Sequence, residues 1–189
     1  MIKEEIYPWA KSTFTDVVEQ ITNCPDAEQG RLAEKLLSEH NFLSNYVLTK
    51  NLSEHMLQQQ RGDLRRVIIR PSAVYCCAKE PIPGWCDVAT AAGHVTFPMI
   101  NGWSKNFLLP DWFIGELVPC DLFCNAVLVT AAHSGSTPKP ELNVYHSSSS
   151  VKSQWLLKDF YEDSFDYVKF NRLETELREP KWSYVGDLD

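Results

Sequence analysis

The stretch SNYVLTKNLSEHM, residues 44 to 56, decides the reading of this chain. It predicts a helix starting at Ser44, in which Tyr46 and Lys50 stand four residues apart and so share one face, one turn from each other. A phenol and an ammonium placed this way can act on one ligand. A lysine beside a tyrosine favours the phenolate, so such a hydroxyl releases its proton nearer neutral pH than the roughly 10 of free tyrosine. This is the geometry of a proton donor to a developing alkoxide.

Spacing alone is a weak signal, since about 0.4 Tyr-x-x-x-Lys matches are expected by chance in a chain of this composition. Three occur. Tyr7 to Lys11 is interrupted by Pro8, and Tyr75 to Lys79 follows an apolar run and is closed by Glu80-Pro81, so neither lies inside a helix. Tyr46 to Lys50 does.

Downstream, Arg61-Gly62-Asp63 ends the helix, and Val67-Ile68-Ile69 is a β-branched run without polar alternation, the pattern of a strand covered on both faces. A helix feeding such a strand is half of a parallel α/β unit. In open α/β sheets ligands lie beyond the carboxyl ends of strands, which puts a cofactor or substrate at Arg70-Pro71-Ser72-Ala73-Val74.

Upstream, Phe14, Val17, Val18 and Ile21 recur at helical spacing after Ser12-Thr13 and before Pro25, predicting a short amphipathic helix that serves as a surface connector. Asp26-Ala27-Glu28-Gln29 has capping-box spacing and leads into Leu32, Ala33, Leu36 and Leu37, a second helix facing a core. Further on, Glu80-Pro81-Ile82-Pro83-Gly84-Trp85 is a rigid loop tipped by an aromatic, and residues 89 to 112 show no sustained period and read as a long loop with short elements. Pro119 opens another helix through Leu122, Phe123, Ala126, Val127 and Thr130 to about Gly135. Asn143-Val144-Tyr145-His146 reads as a strand, the serines 147 to 150 as a turn, and residues 154 to 167 as a helix. The acidic end, Gly186 to Asp189, is expected to fray.

The chain has 189 residues, 44% of them hydrophobic and 12% aromatic, enough for one domain with a sizeable core. A net charge of -7 without a Lys/Arg-rich tract excludes a general phosphate-backbone binder, so no nucleic-acid partner is expected. The start is acidic and no apolar run reaches the length of a membrane span, so the chain reads as soluble. Six Cys show no C-x-x-C pair and no partnered His, which indicates reduced thiols and no metal site. Cys76, Cys77, Cys120 and Cys124 are expected as small core residues.

Asn45-Tyr46 through Thr49-Lys50 with Glu54, then Ile69-Arg70-Pro71-Ser72-Ala73-Val74, then Glu80-Pro81-Ile82-Pro83-Gly84-Trp85, and later Val118-Pro119-Cys120-Asp121 with Asn125, resemble the alcohol-forming fatty acyl-CoA reductases, a family of extended short-chain dehydrogenases/reductases. Glu4-Glu5-Ile6-Tyr7-Pro8 is similar to that family's stretch before the catalytic helix. The resemblance spans most of residues 2 to 146, and the loop 80 to 85 is its most specific part.

The resemblance implies an α/β fold: the later portion of a Rossmann-like parallel-sheet domain plus a substrate-side segment, without the N-terminal Gly-rich βαβ unit. Residues 1–75 would hold the catalytic helix and a late parallel strand, 76–150 the substrate side, and 151–189 the start of a C-terminal extension. It implies NADPH as cofactor and fatty acyl-CoA as substrate, reduced to a primary alcohol. Tyr46 would donate the proton and Lys50 would tune it and hold the nicotinamide ribose, with Pro71, Ser72 and Val74 against the nicotinamide end. It further implies a peroxisomal or endoplasmic reticulum membrane surface, with membrane association through a C-terminal region beyond this chain.

The departures are specific. None of the eight Gly forms the Gly-rich turn that receives a pyrophosphate, the family's catalytic serine falls upstream of Met1, and Cys86 to Gly93 replaces the family's Asn-Gly-Pro stretch. The chain as given is therefore expected to show no acyl-CoA reduction. Two other readings stand beside the reductase fragment: a non-catalytic truncated product or interaction module of the same fold, and another extended reductase acting on a sugar nucleotide or carrier-bound thioester.

Overall fold

The computed structural model describes residues 11–60, 62–87, 91–103, 106–107, 110, 112–136, 142–149, 154–174 and 183–184. The sequence readings at residues 4 to 8, Arg61, Ser150 and residues 186 to 189 lie outside these. The chain divides into two compact units, residues 1–68 with 134–145, and residues 69–133 with 146–189.

The first unit contains a layer of three helices, α1 (Lys11–Thr22), α2 (Gln29–Glu39) and α3 (Asn45–Gln60). Phe14 and Val17 of α1, Leu36 of α2, and Leu48 and Leu52 of α3 form one buried cluster, with Val18, Leu32, Leu37 and Phe42 packed against it. Thus α1 is a core helix and not a surface connector, because Phe14, Val17 and Val18 make an apolar stripe that two other helices cover. A 3₁₀ turn at Asp26–Glu28 precedes α2. The expected capping box is absent there: Asp26 Oδ1 accepts from Gln29 Nε2 at 2.8 Å, and no side chain caps the backbone.

The ends of these helices follow from local chemistry. Asn41 takes φ 56° after α2, and the Phe42 amide returns to the Leu37 carbonyl at 3.0 Å, closing the helix with a left-handed residue. Ser44 caps α3 as read from sequence: its Oγ accepts from the Val47 amide at 3.3 Å and its carbonyl from the Leu48 amide at 3.1 Å. Gly62, at φ 57°, turns the chain after α3.

Among the described residues three two-stranded sheets follow: β1 (Val67–Pro71) with β5 (Asn143–Ser147), β2 (Ala73–Tyr75) with β4 (Leu117–Pro119), and β3 (Asn106–Phe107) with β6 (Ser183–Tyr184). β2 and β4 run parallel with Val74 opposite Val118, and β3 and β6 are also parallel. In β1 only Ile68 is buried, packed on Val144, while Val67 and Ile69 are half-buried. The strand is therefore not fully covered on both faces: Ile68 is buried on one side, while Val67 and Ile69, which point to the other, stay half open.

In the second unit α4 (Ala91–Ile100) forms 10 residues inside the stretch read as a long loop with short elements. Pro98 inside it and a Gly-containing first turn hide the helical period. Its end is sharply defined: Gly102 at φ 70° lets its amide reach the Met99 carbonyl at 3.0 Å and the Trp103 amide reach the Pro98 carbonyl at 2.8 Å. Met99 packs with Tyr161 and Phe165 of α6 (Leu157–Phe170). Between them α5 (Cys120–Ser136) begins immediately after Pro119, which is the last residue of β4 and not the first of a helix. The order β2, α4, β3, β4, α5 places a parallel strand pair, β2 with β4, around a connection that contains a helix, the pattern of an α/β domain.

Candidate active site

Tyr46 and Lys50 occupy one face of α3. Lys50 Nζ sits 5.6 Å from the centroid of the Tyr46 ring, within the range of a cation–π contact worth about 0.5–1 kcal/mol at an exposed site. Tyr46 is 68% exposed, so its phenol is open to a ligand. The residues on the opposite face, Leu48, Leu52 and His55, are buried, with the His55 ring 5.5 Å from Phe14. The helix thus turns its apolar side inward and leaves the Tyr46 and Lys50 side to solution. Of the other two Tyr-x-x-x-Lys matches, Tyr7 lies outside the described residues, and Tyr75 ends β2 with Lys79 in the following loop.

Pro71, Ser72 and Val74 come together in the other unit, where β1 passes into β2. Pro71 ends β1, Val74 lies in β2, and Ser72 alone joins the two strands. The Ser72 amide donates to the Ser147 carbonyl at 2.9 Å and the Ala73 amide to the Glu116 carbonyl at 3.1 Å. The Ser72 hydroxyl is buried without a hydrogen-bond partner among the described residues. A buried polar atom left this way is unusual and marks a place where a polar group would be accommodated.

The proline-rich loop that follows is tied at its base and its tip. Trp85 N–H donates to Ile82 O at 3.0 Å around Pro83 and Gly84, with Gly84 at φ 79°, which is a type II turn and explains the Pro-Gly pair. Asp121 then anchors the loop from the first turn of α5. Its Oδ1 accepts from the Ala78 amide at 2.9 Å, and its Oδ2 from the Lys79 and Glu80 amides at 2.9 and 3.1 Å. These bonds, the Ala78 one foremost, hold the Asp121 carboxyl down at about 2. An acidic residue at this point also complements the positive end of the helix.

Asp121, Cys77, Cys120, Cys124, Pro81 and Trp85 border an open cleft of about 660 Å³. Burial pushes the Cys120 thiol up, with Cys124 and Cys77 adding to the effect. Of the four cysteines expected in the core only Cys77 is buried; Cys124 is exposed, because α5 buries none of its described residues. Trp85 and Trp103 are likewise half exposed and fill no core. No group of three or more His, Cys, Asp or Glu among the described residues could hold a metal ion. No helix among them is long and apolar enough to cross a membrane.

The α/β region with parallel strands fits the class of a partial Rossmann-like domain. Residues 6–127 match the NAD-binding family model described as male sterility protein. Among curated relatives, fatty acyl-CoA reductase 2, chloroplastic, of Arabidopsis thaliana is 32% identical over 133 residues, covering 69% of this chain and 22% of the relative. Fatty acyl-CoA reductase 1 of Gallus gallus is 28% identical over 72% of this chain and 27% of its own length, and that of Xenopus laevis 25% identical over 95% and 34%. The chain belongs to the male sterility, or fatty acyl-CoA reductase, family. It spans about a fifth to a third of the length of these relatives.

Proposed function

We propose that this chain is the catalytic-helix portion of an NADPH-dependent fatty acyl-CoA reductase that converts a long-chain acyl-CoA thioester to a primary alcohol. The observation that carries the reading is the exposed pairing of Tyr46 with Lys50 on one face of α3. In this role the Tyr46 hydroxyl donates its proton to the substrate oxygen as negative charge develops there, and Lys50 holds the nicotinamide ribose and stabilises the phenolate left behind. The hydride is the chemistry that the cofactor supplies when bound.

Pro71, Ser72 and Val74 would lie against the nicotinamide end. The unpartnered Ser72 hydroxyl supports a polar group approaching that turn. The reading treats residues 1–75 as catalytic helix and strand, 76–150 as substrate side and 151–189 as the start of a further region. A peroxisomal or endoplasmic reticulum membrane surface belongs to the same proposal and rests on the family resemblance.

The test uses the polypeptide that carries this segment at the relatives' full length. NADPH consumption with a long-chain acyl-CoA is expected to fall by about 10²–10⁴-fold in Tyr46→Phe, the usual contribution of a positioned acid. Lys50→Met should also raise KM for NADPH. Undiminished turnover in Tyr46→Phe overturns the assignment.

A further inference from the structure

Cys76 and Cys86 stand at the neck of the loop tipped by Trp85. Two backbone hydrogen bonds set the register of that neck: the Cys77 amide donates to the Trp85 carbonyl at 2.9 Å, and the Gly84 amide to the Cys77 carbonyl at 2.8 Å. Gly84, at φ 79°, and Trp85 thus both stand opposite Cys77, a bulge that closes the turn and brings Cys86 into register with Cys76. One step beyond it, Cys76 and Cys86 face each other as a non-hydrogen-bonded pair, a position where Cα atoms approach to about 4.5 Å and side chains share a face. That separation lies inside the window of about 4.4–6.8 Å which a disulfide spans.

Side-chain chemistry agrees with the backbone register. Cys76 and Cys86 are hydrogen-bonding neighbours, and both thiols act on the Tyr75 phenol. Both residues are half-buried and carry free thiols. Cys77, pointing to the other side of the extended segment, lies instead with Cys120 and Cys124. The thiols around this loop therefore sort into two groups, and only the first closes the loop on itself.

We propose that Cys76 and Cys86 form a reversible disulfide latch that peroxide closes across the neck of the 77–85 loop. Burial, with Cys86 beside it, pushes the Cys76 thiol up to about 11, and Cys86 lies between the exposed Trp85 and Asp87, so Cys86 is the sulfur that peroxide reaches first. One peroxide oxygen passes to the Cys86 sulfur, giving a sulfenic acid and releasing water. The Cys76 sulfur then attacks that sulfur: the S–S bond forms, the S–O bond breaks, and the oxygen leaves as water with the thiol proton. The two thiols lose two electrons in all and one peroxide becomes two waters. A dithiol reductant restores both thiols by exchange.

The latch differs from an intrahelical Cys120–Cys124 bridge, which would constrain nothing outside one turn of α5. It fixes both ends of the loop whose amides are already held by Asp121, and so leaves that loop a single closed form.

The chain is treated with hydrogen peroxide, alkylated and digested without reduction. Peptide mapping is expected to show one linkage joining Cys76 to Cys86, lacking two hydrogens and reversed by dithiothreitol, with cleavage inside the 77–85 loop slowed by about tenfold or more. Cys77→Ser should keep the linkage, and Cys86→Ser should leave Cys76 open to alkylation. A linkage of Cys76 to Cys77, bridges only among Cys77, Cys120 and Cys124, or sulfinic acid at Cys86 with Cys76 still alkylated would overturn the proposal. The wild-type map decides the matter even if a variant fails to fold.

Discussion

The carboxylate of Asp121 accepts the backbone N–H of Ala78 at 2.9 Å, although 43 residues separate them. With the Lys79 and Glu80 amides on its other oxygen, one side chain satisfies three consecutive donors of the loop. Asp121→Ala is expected to speed hydrogen exchange at these three amides by about tenfold or more, each having lost a charge-assisted bond. Asp121→Asn, which keeps one carbonyl acceptor, should have a smaller effect. Equal protection in all three proteins would show that the anchor is dispensable.

The same carboxylate sets an acid limit. Its folded-state pKa of about 2 is below the unfolded value, so its stabilisation is present above pH 4 and is lost as pH falls through about 2. Protection of Ala78, Lys79 and Glu80 should decline over that interval, and the decline should be missing in Asp121→Asn. Amide exchange recorded across an acid series, corrected for intrinsic rates, measures it.

Tyr161 sets the alkaline limit. Its phenol is buried with Met99 and Phe165, and burial pushes it up to about 12. Because the folded value lies above the unfolded one, the stabilisation is complete below pH 10 and is lost as pH rises from 10 through about 12. An alkaline melt followed by tyrosinate absorbance should show ionisation and loss of helix together. Tyr161→Phe should move that loss to higher pH; an unmoved midpoint would assign it to another group.

Leu36 is 1% exposed at the centre of the three-helix cluster, whereas Val129 on α5 is 67% exposed. Leu36→Ala should cost about 2–5 kcal/mol, from lost burial plus an unfilled cavity. Val129→Ala should stay within about 0.5 kcal/mol. Urea denaturation of the two variants against the parent separates them, and similar midpoints would mean that Leu36 is not a core residue.

Much of the first unit was legible because its signals are local. Ser44 caps the helix that it was read to cap, Gly62 ends it, and the tetrad spacing alone puts Tyr46 beside Lys50. The β-branched run at Val67 and the strand at Asn143 formed for the same reason. What failed was non-local. The apolar stripe of α1 did not reveal what would cover it, and Pro98 masked the period of α4. Cys120 and Cys124 of α5 were read as core residues, a burial that the described residues do not provide. Asp121 and Asn125 were legible only as parts of a family pattern, since a carboxylate that binds amides 43 residues upstream leaves no mark at either place.

The parallel pairing of β2 with β4 sets Val74 against Val118 across a connection that includes α4. Loop-closure entropy must be met before this ladder contributes anything, and it grows with the length of the intervening chain. Local helices form in microseconds or less, while non-local strand pairing lags by orders of magnitude. On a ribosome, this ladder cannot start to close until Val118 has cleared the exit tunnel, so Ala73 to Tyr75 must wait as a naked strand edge while the helices behind them are already made.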